Sequence, residues 1–421
     1  MFHKVTLDNN THILVEQIPN VRSVAIGFWV DVGSRYESDE NNGVSHFIEH
    51  LLFKGTDKRT AKQIAETLDA VGGQLNAFTT KEYTCYYARV LDEHIDLAVD
   101  LLSDMLFNSK FAPEDIDRER NVIIEEIKMY EDSPDELVHD IFAGAMWQGH
   151  PLGRPIIGNM EVIKNIDRDK IMDFYHTHYK PSNLVLTVAG NIDPEKVIRD
   201  LRLIFDEKGG AAPKRSMVIP APVLDVTCRN KDTEQVHMCI GTPGVKLEDE
   251  QYYPFQILNT VLGGGISSRL FQEIREQRGL VYSVYSYHSS YHDTGLFCVY
   301  AGLSMNNAEE AMELIFKQVE DIRVNSISAA ELQRAKDQMK GNILLSLESV
   351  STRMSRLGKS QLYLGRVITP DEAVEKLNKV TQTDIQELAA SCLRTENFSM
   401  ATIGPWKDEG NMQRIMEKHR R

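Results

Sequence analysis

Nowhere in the 421 residues is there an apolar run of roughly 18 residues, so no segment has the hydrophobic length to cross a bilayer as a helix. The opening residues, MFHKVTLDNNTHILVEQIPN, lack the basic-then-apolar order of a secretory signal and the Arg/Ser-rich character of a transit peptide. They pass at once into strand-like alternation, and a cytoplasmic protein of bacterial type with no membrane partner is the expectation. Cysteine is scarce: Cys85, Cys228, Cys239, Cys298 and Cys392 are scattered and form no CxxC pair. That excludes a disulfide framework and a thiolate metal site, and leaves reduced thiols acting as small apolar side chains. Positive charge is also in deficit, with 47 Lys and Arg against 62 Asp and Glu and a net charge of −15. A nucleic-acid surface needs a concentrated basic stripe, so none is expected. The acidic balance suits solubility and also cationic ligands, basic peptides among them. Gly263-Gly264-Gly265 lacks the Lys-Ser/Thr that a phosphate-binding loop requires after it.

With 42% hydrophobic and 26% charged residues, the chain reads as an ordinary globular protein too long for one core. The Gly/Ala/Pro-rich stretch DEKGGAAPKRS at 206–216 reads as a linker between two weakly similar halves. The first half carries strand-like runs at 22–32, 74–80 and 83–91, helical patterns near 43–54, 60–71, 93–107 and 114–131, and a closing apolar run at 182–190. The second half repeats that order and ends on NFSMATIG at 397–404. The expected fold is therefore α+β: two similar halves, each a mostly antiparallel sheet with helices packed on one face. The expected divisions are 1–208, a linker at 209–218, and 219–421.

Positions 42–56, NGVSHFIEHLLFKGT, carry the chemistry. Asn42 is a fair helix cap and Gly55 a fair stop. On the helix between them His46 and His50 stand four residues apart, so both imidazoles leave the same face one turn apart. That spacing suits two ligands of one tetrahedral zinc. Glu49 borders that face, where it could take the proton of the attacking water without being a ligand. His-x-x-Glu-His is the inverzincin order. A catalytic zinc needs a third protein ligand, and the acidic helix at 114–131 offers Glu119, Glu125 and Glu126; spacing alone leaves all three open. His176 and His178 lie at a helix end with no third ligand near them in sequence.

HFIEH, with Glu126 following His50 by 76 residues in RNVIIEEIKMYE, resembles the pitrilysin-type zinc peptidases, and within them the branch of mitochondrial processing peptidase and its bacterial relatives. GGQLNAFTTKEYTCYY and SSRLFQEIREQRGLVYS extend the likeness over nearly the whole chain. The resemblance implies one zinc per chain on His46, His50 and Glu126, with Glu49 as general base and Glu119 as a supporting carboxylate. It implies that Arg275 and Tyr282 bind substrate, and that Asn76, Ala77 and Phe78 lie on an edge strand to which an extended peptide adds itself. It further implies an endopeptidase acting on peptides or unfolded segments, and a homodimer. The second half has FQILNTVLGGG where the first has HFIEHLLFKG, and Asn342 where the first has Glu126, so it is expected to bind no metal. A non-catalytic subunit of a larger complex is the alternative.

Overall fold

A computed structural model describes residues 2–213, 217–406 and 410–420, without the Asn411 side chain. Six strands come from the first half: β1 (Phe2–Thr6), β2 (His12–Gln17), β3 (Ser23–Val30), β4 (Gln74–Thr79), β5 (Thr84–Leu91) and β6 (Leu184–Gly190). They form one sheet in the order β1-β2-β6-β3-β5-β4, antiparallel except where β2 runs parallel to β6. Five come from the second half: β7 (Val226–Asn230), β8 (Val236–Gly244), β9 (Val281–Ser290), β10 (Gly295–Leu303) and β11 (Ser399–Gly404). Their order is β7-β11-β8-β10-β9, again with one parallel pair, β7 and β11. The two sheets therefore repeat one topology, with an additional hairpin strand, β1, on the first.

Central strands read as unbroken apolar runs because both of their faces are covered. On β3, Val24, Ile26, Phe28 and Val30 enter the main core of the first sheet, while Ala25 and Trp29 point to the opposite face. The main core lies under a layer of helices that includes Val44–Leu51, Ile95–Asn108 and Pro194–Phe205. The expected α+β arrangement holds, with one addition on the second face of each sheet. On the first sheet that face is closed by helix Val350–Leu364, whose Val350, Met354 and Leu357 pack with Trp29, Cys85 and Val185. On the second it is closed by helix Pro134–Met146, whose Leu137, Val138, Phe142 and Met146 pack with Cys239, Cys298 and Ile403.

The halves thus exchange one helix each. The compact units are Met1–Lys128 with Arg154–Met217 and Ser346–Val367, and Met129–Gly153 with Val218–Leu345 and Ile368–Arg421. Each unit therefore includes one segment from the other half of the sequence. Residues 214–216 of the expected linker lie outside the described residues. None of the five cysteines is in a disulfide, and Cys85, Cys239 and Cys298 are buried. Among the described residues no helix is long and apolar enough to cross a membrane.

Candidate metal centre

The helix Val44–Leu51 buries Val44, Phe47, Ile48 and Leu51, an i, i+3, i+4, i+7 stripe that fixes its rotation and turns His46, Glu49 and His50 away from the core. It begins at Gly43, whose φ of 97° only glycine adopts readily; Asn42 is not the cap but donates its amide to Glu37. The long helix Pro113–Glu131 buries Ile116, Glu119, Ile123 and Ile127 along one face. That rotation brings Glu126 beside the two histidines and carries Glu125 outward, where it pairs with Lys128 at 2.7 Å. Of the three carboxylates that spacing left open, Glu126 is the one that lies within 4 Å of both histidines.

Glu126 Oε2 lies 3.7 Å from His50 Nε2 and 3.9 Å from His46 Nε2, and the imidazole centroids are 4.7 Å apart. One donor atom from each of the three residues fits within 4.8 Å of the others, and among the described residues no other set of three His, Cys, Asp or Glu side chains does so. A tetrahedral ion with bonds of about 2.1 Å has ligand-to-ligand edges of about 3.4 Å, a few tenths shorter than those seen. Two imidazole nitrogens and a carboxylate are also a donor set that zinc accepts, so the residues fit the metal. Burial and the neighbouring His50 hold the His46 imidazole down at about 3, which leaves it neutral with a lone pair free.

Glu119 is buried and accepts a hydrogen bond from His50 Nδ1 at 3.2 Å, while Lys54 Nζ lies 2.9 Å from its other oxygen. A carboxylate behind a histidine in this way fixes the ring and directs Nε2 outward. Glu49 is held from another element: the Thr79 hydroxyl donates to Glu49 Oε2 at 2.5 Å. Burial pushes the Glu49 carboxyl above its ordinary range and the Thr79 bond opposes this, a balance that suits a proton acceptor.

Thr79 ends β4, which is the outermost strand of its sheet. Asn76, Ala77 and Phe78 therefore lie on an edge strand, with their backbones paired on one side to Tyr87, Tyr86 and Cys85. The Phe78 ring packs against Trp29, Tyr83 and Tyr87 at about 6.0 Å each. In the second unit Arg275 lies on a π-helical turn, Phe271–Glu276, closed by a bond from Gln277 N–H to Gln272 O. Its guanidinium stands 4.9 Å over the Phe271 ring and 5.9 Å over that of Tyr282, an exposed residue, so Arg275 and Tyr282 do meet. His176 and His178 pack against Tyr175 and Phe174, at 5.4 and 4.4 Å between ring centroids.

Lys54, Thr79 and Glu37 belong to the neighbourhood of the site, and sequence reasoning passes over all three. Lys54 stands four residues after His50, just beyond the end of the motif helix at Leu51. Thr79 and Glu37 reach the motif helix only through the fold.

Residues 12–160 match the model of the insulinase family of peptidases (M16), and residues 165–339 match that of the M16 inactive domain. The chain is similar to the uncharacterized zinc protease YmxG of Bacillus subtilis, with 44% identity covering 98% of this chain and 100% of that one. An uncharacterized zinc protease of Streptomyces coelicolor is 42% identical over 96% of this chain and 90% of its own. Among solved structures, a protease from Helicobacter pylori superposes with a TM-score of 0.89 at 22% identity, covering 96% of this chain and 100% of that one. At that identity the likeness supports the fold alone.

Proposed function

This chain belongs to the insulinase-type peptidase family M16, and on that premise we propose that it is a zinc-dependent endopeptidase acting on peptides or unfolded segments. The observation that carries the reading is the meeting of His46, His50 and Glu126 with Glu49 on the same helix face. When bound, zinc supplies Lewis-acid activation of water and takes up negative charge developing on the peptide carbonyl oxygen. The protein's own groups do the rest. His46 presents a neutral imidazole, and Glu119 keeps His50 Nε2 turned outward. Glu49 accepts the proton of the attacking water at its carboxylate and returns it to the departing amine. An extended peptide bonds its main chain to the open edge of β4, which accommodates varied sequences. Arg275 and Tyr282 take the substrate-binding role that the resemblance implies. One zinc per chain and a homodimer belong to the same reading, as does a taste for basic peptides in keeping with the net charge of −15. A non-catalytic subunit would have no use for a complete set of ligands and base.

The test is zinc content and peptide cleavage measured on one purified sample, wild type beside Glu49→Gln. The expected result is about one zinc per chain in both, with turnover in the variant lower by ~10²–10⁴-fold. Undiminished cleavage in Glu49→Gln would remove Glu49 from its role. Zinc without cleavage of any peptide would return weight to the non-catalytic alternative.

A further inference from the structure

The segment from Gly33 to Glu37 ties together the two elements that carry the site. At its start Ser34 N–H donates to Thr80 O at 3.1 Å and Arg35 N–H to Lys81 O at 2.7 Å, so the backbone lies along the β4–β5 turn. A methyl group on Gly33 would stand 2.2 Å from Thr80 O, a contact that glycine alone avoids. Arg35 Nη1 donates to Glu82 Oε1 at 2.7 Å, with 3% and 1% of the two side chains exposed. Removing one partner of such a pair strands a buried charge, so the contact is a firm anchor.

At its other end lies Glu37, a buried carboxylate with no place in the metal set. Its Oε2 accepts from Gly43 N–H at 2.7 Å and from Asn42 Nδ2 at 3.0 Å, and its Oε1 accepts from Ser45 N–H at 2.8 Å. Gly43 and Ser45 supply backbone donors of the first turn of the Val44–Leu51 helix, which has no side-chain cap from its own N-cap residue. A negative charge at that end also favours the helix dipole. The main-chain carbonyl of Glu37 accepts in turn from Arg154 Nη1 at 2.8 Å. The helix has eight residues, so the pose of His46 is set within one turn of this contact.

We propose that Glu37 is a positioning residue of the metal centre: it fixes the start of the motif helix against the β4–β5 turn, and so sets His46, Glu49 and His50 against Thr79 and Glu126. This rests on the zinc reading above. Glu37 acts only through the helix, and both of its carboxylate oxygens are in use at once. Gln at this position has one acceptor oxygen, and its amide nitrogen would face a backbone N–H.

The experiment uses the full chain and zinc alone as probe, with a competing chelator, at a temperature below the unfolding midpoint of each variant. In folded Glu37→Gln the zinc dissociation constant is expected to rise by roughly 10–100-fold, with a fall in kcat and an unchanged KM for a cleaved peptide. Glu37→Asp keeps two oxygens and is expected to recover part of the zinc affinity lost in Glu37→Gln. Wild-type zinc affinity and kcat in folded Glu37→Gln would overturn the inference alone. A Glu37→Asp chain no better than Glu37→Gln would overturn the assignment to the carboxylate. Failure of both variants to fold would make Glu37 a residue of general stability and overturn the site-specific role. A wild-type chain that takes up no zinc would overturn the zinc reading, and this inference with it.

Discussion

The two units share a strand order, and in each one an exchanged helix closes the second face of the sheet, yet among the described residues only the first brings together three side chains that could hold a metal. Laid over each other, His46, Glu49 and His50 correspond to Phe255, Leu258 and Asn259. The first helix keeps its polar face outward, whereas its counterpart Tyr252–Gly263 buries Phe255, Ile257, Leu258, Val261 and Leu262. The long helix shows the reverse. Pro113–Glu131 buries three isoleucines and Glu119, while Ala329–Ser346 buries Ala335 alone. One scaffold thus supports a cluster of candidate metal ligands or an apolar core according to a handful of side chains on two helices.

The sharpest way to break this comparison is to remove a ligand from one unit and its counterpart from the other. His50→Ala is expected to drop zinc from about one per chain to near zero, and peptide cleavage with it, because two protein ligands do not hold a catalytic zinc. Asn259→Ala is expected to keep the metal content of wild type. A second zinc per chain, or zinc lost from Asn259→Ala, would refute the division into one binding and one silent unit. Elemental analysis of the two variants decides it.

The exchanged helices offer a comparison of the opposite kind, in which the units behave alike. A methyl group on Gly27 of β3 would stand 2.4 Å from Met354 Sδ, and one on Gly241 of β8 would stand 2.7 Å from Phe142 Cζ. In each sheet, then, a glycine on the equivalent strand makes room for a large side chain from the other half's helix. Phe142 and Met354 are both fully buried, so Phe142→Ala should cost about 3–5 kcal/mol and Met354→Ala about 2–5 kcal/mol. Thermal unfolding followed with and without zinc separates the two. The Met354 variant weakens the unit that binds metal, so added zinc should raise its midpoint, and it should raise that of the Phe142 variant less. An unshifted midpoint in either variant would show that the exchange contributes nothing to that unit.

What could be read in the sequence follows from how local each signal is. The motif helix, the hairpin of β4 and β5 and the order of the elements were legible because apolar periodicity and the His-x-x-Glu-His spacing act within a few turns of chain. Both exchanged helices went unread. Their apolar faces, Leu137 with Phe142 and Met354 with Leu357, match sheets built from distant sequence, so nothing nearby marks them as core. The candidate third ligand was ambiguous for a related reason. Three carboxylates on one helix were distinguishable only once Ile116, Ile123 and Ile127 had set its rotation. Thr79, Lys54 and Glu37 are common polar residues, and each takes its meaning from a partner brought in by the fold.

The smallest expected effect concerns how the second unit holds its weakly buried long helix. With Ala335 alone buried, Ala329–Ser346 has little apolar anchorage, and its first turn is instead clamped through Glu331. Arg269 Nε donates to Glu331 Oε1 at 2.6 Å and Nη2 to Oε2 at 3.0 Å, while Ser328 gives its N–H and its hydroxyl at 2.8 Å each. Burial by itself would raise the Glu331 carboxyl, but the Arg269 and Ser328 bonds outweigh it and pull the group down to about 2. A carboxylate held below its ordinary value of 4.5 stabilises the folded chain above that value, and the contribution fades as pH falls from there through about 2. The group is partly open to solvent, so screening keeps the contribution to about 1 kcal/mol. Glu331→Gln should therefore be less stable than wild type by about that amount near neutral pH, measured by urea unfolding. Repeated at pH values from 5 towards 2, the two unfolding midpoints should converge. A gap that persists at the acid end would trace the loss to packing at the helix start rather than to the ion pair, and the two long helices would then differ less in how they are anchored than the pattern of buried residues implies.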